Sequence, residues 1–474
     1  MLAAWSAANF EREAADVTRR LSLHLDVATS GRGQVLRSFP PPDEVLRAVP
    51  PGFSTEPQSS LEDVIDLALE GSPWQHHPRY LGHQVASTLP RAALLSLVAA
   101  VLNNGMAAFE AGPTTTAMEK RVIEWLLGVV GWPGGGGVLT SGGSLGNLTA
   151  LLAARQRRAG FDVGAEGLAG HTPLAILVSE QAHYSIERAA QTMGLGRAGV
   201  FLVPTDAHYR MRTADLRPTF ERARAAGRTP FALVASAGAT GTGSIDPLDE
   251  VADVAAELGL WLHVDGAHGA SMLLSERLRA PLRGIERADS LVWDAHKLMS
   301  FPALATAVLF REDRASYGTF AQDAAYLFDG GEPRWFDIGL RTVECTKPLL
   351  SVPLYGALAS LGTDTFRVVV ERLYDLGQHL ADLVERSPDF ELACRPDCNI
   401  VCFRLRSSVG GPSPKDLRDA LRQEGSFYTV MTTLRGVPYL RTSIMNPLTT
   451  ASDLAALLDR LRELIASAGP VDEK

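Results

Sequence analysis

Between about residue 90 and residue 355 the chain alternates short apolar, β-rich runs with Ala/Leu/Arg-rich helical stretches. The runs read LAILVS, GVFLVP, FALVAS, LWLHVD, DSLVWD and TAVLF. No other feature constrains the fold as much. Repeated strand–helix alternation calls for a mostly parallel sheet with helices on both faces, an α/β architecture. Before it, amphipathic helical patterns broken by the Pro-rich joints FPPPDE and VPPGF read as an N-terminal arm. After it come a long helical pattern, the run NIVCFRLR, a helix from Pro414 and a closing helix from Thr450, the texture of a small α+β domain. The expected division is a helical arm at 1–89, a large domain at 90–355 and a small C-terminal domain at 356–474.

At 474 residues such a chain can bury a large core without disulfide or metal staples. A net charge of −9 without a long basic run argues against nucleic acid or an anionic membrane as the main partner. Four cysteines do not make a disulfide framework. Cys394, Cys398 and Cys402 recur every fourth residue, but they lie in or beside an apolar β-like run with no fourth ligand nearby, so they read as buried core thiols. His76, His77 and His83 are likewise not read as a metal cluster, and no metal site is expected. The first residues reach charge too soon for a signal peptide, and no uninterrupted stretch of 18 apolar residues occurs. The expected compartment is the cytoplasm.

Of 45 basic residues only five are lysines: Lys120, Lys297, Lys347, Lys415 and Lys474. Chemistry that needs a lysine amine therefore has few candidates. Lys474 is terminal, Lys415 sits in a polar loop and Lys120 lies among charged neighbours; Lys347, before Pro348, is possible. Lys297 alone stands between two apolar segments, beside His296 and Asp294, a setting in which an amine can be held neutral and nucleophilic. The alternative is a helix-end lysine reaching for water.

Two further segments bear on this lysine. In TSGGSLGNLTALLAARQ a Gly/Ser turn leads from Val138 and Leu139 into a helical run. Free N–H groups at a helix start make an anion site, with Ser141, Gly143, Ser144 and Asn147 as donors; a plain Ser-capped loop is the alternative. In LWLHVDGAHGA a strand ends in Asp265, and a carboxylate beyond the carboxyl end of a doubly wound strand faces the ligand side. Taken alone, Asp265 also fits a structural cap or a metal ligand. The preceding helix is expected to open with Asp246 as N-cap and Pro247 in the first turn, after the Gly-rich turn AGATGTGS. An anion cradle, a strand-end aspartate and then a lysine together suit pyridoxal phosphate. That cofactor needs a phosphate site, a carboxylate for its pyridinium nitrogen and an amine for a Schiff base.

With these segments quoted, the chain resembles the group II pyridoxal-phosphate amino-acid decarboxylases from about HPRYLGHQ (77–84) to YLRTSIMNP (439–447). EAGPTTTAMEKRVIEWL is similar to the family's helix leading into the site, and TSGGSLGN to its phosphate loop. The resemblance implies a fold-type-I enzyme, a homodimer with its active site at the interface, acting on a small-molecule amino acid. It implies that His183 in SEQAHYSIERAA stacks on the cofactor ring, that Asp265 and its neighbour Ala267 in HVDGAHGA contact the cofactor, and that Lys297 in DAHK forms the Schiff base with His296 helping to hold it. AAYLFDGGEPRWFD resembles a mobile loop whose tyrosine, here Tyr326, protonates the substrate carbon. YLRTSIMNP resembles the segment whose arginine, here Arg441, binds the substrate carboxylate; His83 is placed with it as a substrate contact. The chain departs from the family in carrying Gly266, Ala267 and His268 after the aspartate, and His83 where the acidic-substrate branch tends to carry Gln. The implied reaction is decarboxylation of an L-amino acid to its amine; transamination and decarboxylation-dependent oxidative deamination are the alternatives.

Overall fold

The computed structural model describes residues 5–36, 39–320 and 334–468, in two compact units. The first comprises 88–378 with 394–401; the second comprises 1–87, 379–393 and 402–474. This division by packing interleaves segments that a division by sequence texture sets end to end.

The first unit is built on a seven-stranded sheet. Its strands are β1 (Gly136–Thr140), β2 (Leu174–Ser179), β3 (Val200–Val203), β4 (Thr229–Ser236), β5 (Trp261–Asp265), β6 (Ser290–Asp294) and β7 (Thr306–Phe310). They lie in the order β1-β7-β6-β5-β4-β2-β3. All neighbours from β3 to β6 pair in parallel, while β7 pairs antiparallel with both β6 and β1. The expectation of a mostly parallel sheet covered by helices therefore holds. Every residue of β2, β6 and β7 is buried, as strands covered on both faces require. Trp293, Phe231 and Phe310 are among the largest fully buried side chains, each contributing roughly 1.5–3 kcal/mol of transfer free energy.

The register brings several carboxyl ends level. Ser236 pairs with Asp265, and Asp294 pairs with Thr306, which also faces Thr140. Helix Gly143–Arg158 crosses the sheet immediately after β1 and buries a face of Gly146, Asn147, Thr149, Ala150, Leu151, Ala153 and Ala154. Small residues let it lie close: a Cβ on Gly146 would stand 3.1–3.3 Å from Val292, Thr306 and Val308.

One local reading is corrected. The helix before β5 runs Leu248–Glu257 with Pro247, not Asp246, at its N-cap. Asp246 is instead buried and accepts the backbone N–H groups of Ser236 and Met211, each at 2.7 Å; burial still pushes its pKa up to about 6. Two buried N–H groups without a strand partner outcompete the helix end for one carboxylate.

In the second unit the arm supplies helices Ala7–Thr29, Pro42–Ala48 and Leu61–Glu70, the last opened by a Ser60/Asp63 capping box. A four-stranded sheet follows the order β10-β11-β9-β8, from β8 (Phe390–Leu392), β9 (Ile400–Leu405, whose first two residues belong to the other unit), β10 (Val430–Leu434) and β11 (Val437–Ser443). Arg435 and Gly436, both with positive φ, make the two-residue turn that pairs β10 with β11. No helix among the described residues is long and apolar enough to cross a membrane. Cys398 and Cys402 are buried and Cys394 is half-buried.

Candidate active site

A cavity of about 260 Å³ opens at the carboxyl ends of the large sheet's strands, wholly within the first unit. Its wall includes Ser141, Gly143, Ser144, Asn147, His183, Asp265, Ala267, His296 and Lys297. Every expected cofactor residue is therefore at one place, brought there by four different strand ends.

The start of helix Gly143–Arg158 forms one side. Helix geometry leaves its first N–H groups without intrahelical acceptors, and Arg155, Arg157 and Arg158 in the last turn complement the dipole. Gly142 has φ +105°, and a Cβ on Gly143 would lie 2.9 Å from Asp294 Oδ2, so the turn is closed to larger residues. Ser141 Oγ donates to Glu344 Oε1 at 2.6 Å.

Asp265 ends β5. Asn147 Nδ2 donates to its Oδ2 at 2.9 Å, and the Ala267 N–H to its Oδ1 at 3.2 Å. Asn147 also donates to Ser185 Oγ at 3.0 Å. Both amide protons are thus committed, and the expected role of Asn147 as an anion donor is replaced by that of a clamp on the carboxylate. His183 precedes helix Ser185–Thr192, its Nδ1 2.8 Å from Ser185 Oγ. Burial lowers the His183 pKa, the Asp265 carboxylate opposing and the Lys297 ammonium assisting.

Lys297 follows β6 in a short turn. Its Nζ lies 3.1 Å from Asp294 Oδ2, and Thr306 Oγ1 donates to Asp294 Oδ1 at 2.6 Å. His296 Nε2 is 3.6 Å from the same carboxylate. Gly266 has a packing reason: a Cβ there would stand 2.7 Å from Leu291 Cδ1 and 3.0 Å from the Val292 carbonyl, so alanine would require Leu291 to shift. His268, buried, shares a 2.7 Å hydrogen bond between its Nε2 and Asn399 Oδ1. Ser236, Gly238, Ala239, Thr240 and Leu304 also line the cavity. The Gly-rich turn at 238–243 was the one sequence signal for this group.

The donor set fits pyridoxal phosphate: N–H groups behind obligatory glycines for a dianion, a carboxylate at a strand end, an imidazole between, and one amine. The model of the pyridoxal-dependent decarboxylase conserved domain matches residues 43–406. The chain belongs to that family. Its cofactor is pyridoxal phosphate, and it is a lyase that decarboxylates an amino acid. Among its relatives in the decarboxylase family, the cysteine sulfinic acid decarboxylase of Homo sapiens is 31% identical over 412 residues, 82% of each chain. The glutamate decarboxylase of Drosophila melanogaster is 31% identical over 386 residues, 79% of this chain and 75% of that one. The crystal structure of mouse CSAD in apo form superposes with a TM-score of 0.89 at 27% identity, covering 97% of this chain and 99% of that one.

Two further expected positions belong to the second unit. Arg441 sits on β11 in the second unit, buried, with Nη2 donating to Gln84 Oε1 at 3.0 Å. His83, in the same unit, has its ring 5.9 Å from that of Tyr428. Partial burial, then the charges of Arg441 and Arg422, lower its pKa. Tyr326 lies outside the described residues.

Proposed function

We propose that Lys297 is the lysine that holds pyridoxal phosphate covalently, in a cytoplasmic homodimer that converts an L-amino acid to its amine. The observation that carries this reading is the convergence of Lys297, Asp265, His183 and a glycine-opened helix start on one cavity. When bound, the cofactor supplies a protonated ring that takes up the electron pair left as the Cα–carboxylate bond breaks. Asp265, as a carboxylate held by Asn147 and Ala267, keeps that ring nitrogen protonated. The N–H groups of Gly143 and Ser144 bind the phosphate, joined by Ser141 Oγ once its hydrogen turns from Glu344. His183 supports the ring face, and His296 buttresses the turn that carries Lys297. Arg441, with His83 beside it, is the proposed partner of the substrate carboxylate. Tyr326 is the proposed donor of the proton that returns to Cα, an assignment that rests on the resemblance of its loop. Orientation of the breaking bond and preorganised charge supply the rate.

The dimer is supported by helix Pro90–Leu102. Leu94, Leu97, Val98, Val101 and Leu102 form an i, i+3, i+4, i+7, i+8 stripe, and all are between 43 and 63% exposed. An apolar stripe of this kind turned to solvent marks an association face. Four cysteines, none in a disulfide, suit a reducing compartment. Release of CO2 across the proteinogenic amino acids plus cysteine sulfinate and 2,4-diaminobutyrate, with amine formed in equal amount, tests the reaction. The names of the relatives put acidic amino acids first in that panel. Carbonyl product in place of amine would favour oxidative deamination or transamination, and Tyr326→Phe with undiminished amine production would count against Tyr326 as the proton donor.

A further inference from the structure

A hydrogen-bonded chain runs along one face of the sheet, from the start of β5 to the cavity at its carboxyl end, and each link has a defined donor. Asp265 as a carboxylate only accepts, so the Asn147 group facing Oδ2 is the amide NH2. Asn147 Oδ1 must then accept, and it lies 2.9 Å from His263 Nε2, which therefore carries a proton. His263 is fully buried on β5, and burial lowers its pKa to about 4, so it is neutral and its Nδ1 accepts. Ser290 Oγ, 2.8 Å from Nδ1, donates that hydrogen bond while itself accepting Trp261 Nε1–H at 2.8 Å. On the other side of Asn147, Ser185 Oγ receives the second amide proton and turns its own hydrogen to His183 Nδ1. The Ser185 backbone N–H also points at that nitrogen, at 3.3 Å. His183 Nδ1 is thus an acceptor, and the neutral ring carries its proton on Nε2.

We infer that His263 and Ser290, neither of which lines the cavity, are positioning residues that act through Asn147 to fix the Asp265 carboxylate and the tautomer of His183. The inference rests on the cofactor roles proposed for Asp265 and His183. Its logic is that of outer-sphere partners that orient a functional imidazole or carboxylate. Without a donor at His263 Nε2, Asn147 Oδ1 is buried unpaired and its amide can rotate, which releases both clients together.

Long-range 1H–15N correlation on histidine-labelled enzyme, with and without cofactor, reads the tautomers. Both His263 and His183 are expected neutral with the proton on Nε2. His263→Leu is expected to give a mixed His183 tautomer, a shifted visible cofactor band and a kcat/KM lower by roughly 10- to 100-fold, as for other lost orienting partners. His263→Gln, whose amide can donate from near the Nε2 position, should recover most of it. Ser290→Ala, the milder variant should His263→Leu not fold, should change the His263 tautomer and lower kcat/KM less. A wild-type His263 protonated on Nδ1, or a folded variant of either kind with unchanged tautomers, band and kcat/KM, overturns the inference. The spectra of cofactor-free protein test the chain of donors even if the wild-type enzyme proves to bind its cofactor elsewhere.

Discussion

Two lysines of the first unit each meet a carboxylate, and they differ in what is left over. Lys347 Nζ is 2.5 Å from Glu119 Oε1 and 2.6 Å from the Leu139 carbonyl, and its side chain is 0% exposed. Glu119 Oε1 also accepts the Leu139 N–H at 3.0 Å. Together the pair takes both backbone groups of Leu139 on the edge of β1, just before the Gly142 turn, where no further strand among the described residues pairs. Lys297 meets Asp294 at 3.1 Å, remains 18% exposed and lines the cavity. The first lysine is structural because two of its protons have buried acceptors and its side chain is sealed from solvent. The second has an ion-pair partner and a free approach, which a nucleophilic amine requires.

Substitutions at the two positions should therefore fail in opposite ways. Lys297→Ala is expected to abolish amine formation and the visible cofactor band while leaving the denaturation midpoint close to wild type. Lys347→Met strands Glu119 as a buried charge and should cost about 3–5 kcal/mol in equilibrium unfolding. The cofactor-loaded Lys347→Met protein should keep its visible band, and Glu119→Gln added to it should restore part of the stability.

The pH dependence of stability tests the buried His263. Unfolded His263 takes up its proton below about pH 6.5, but the folded residue does so only near 4. Its contribution is thus complete above 6.5 and is lost as pH falls from there to about 4, with a slope of at most ~1.4 kcal/mol per pH unit. Denaturant melts across that window should show the slope, and His263→Gln should flatten it. The smallest effect is expected at Gly143. An alanine there meets Asp294, so cofactor affinity should weaken by roughly tenfold, ~1.4 kcal/mol, in an absorbance titration.

How much of this was legible in the sequence follows from how local each feature is. The parallel sheet, Lys297, Asp265 and the glycine-opened helix start each lie within one strand–turn segment, and their residue types and order point to one cofactor. The clamp of Asn147 on Asp265 and the reach of His263 to Asn147 join residues far apart in the chain, and no spacing rule finds them. Asp246-Pro247 shows the converse error: a sound local cap signal lost to two buried N–H groups, one from β4 and one from Met211. Lys347 stayed open in the sequence because its partner, Glu119, lies on a helix far upstream. Gly266 looked like a departure in character and is instead a matter of space beside Leu291.

The most direct measurement is borohydride reduction of the cofactor-loaded enzyme followed by peptide mass mapping. One pyridoxyl group per chain on the peptide containing Lys297, and none on those containing Lys120, Lys347 or Lys415, is the predicted result. Label on Lys347, or a loaded enzyme with no labelled lysine, would contradict the assignment.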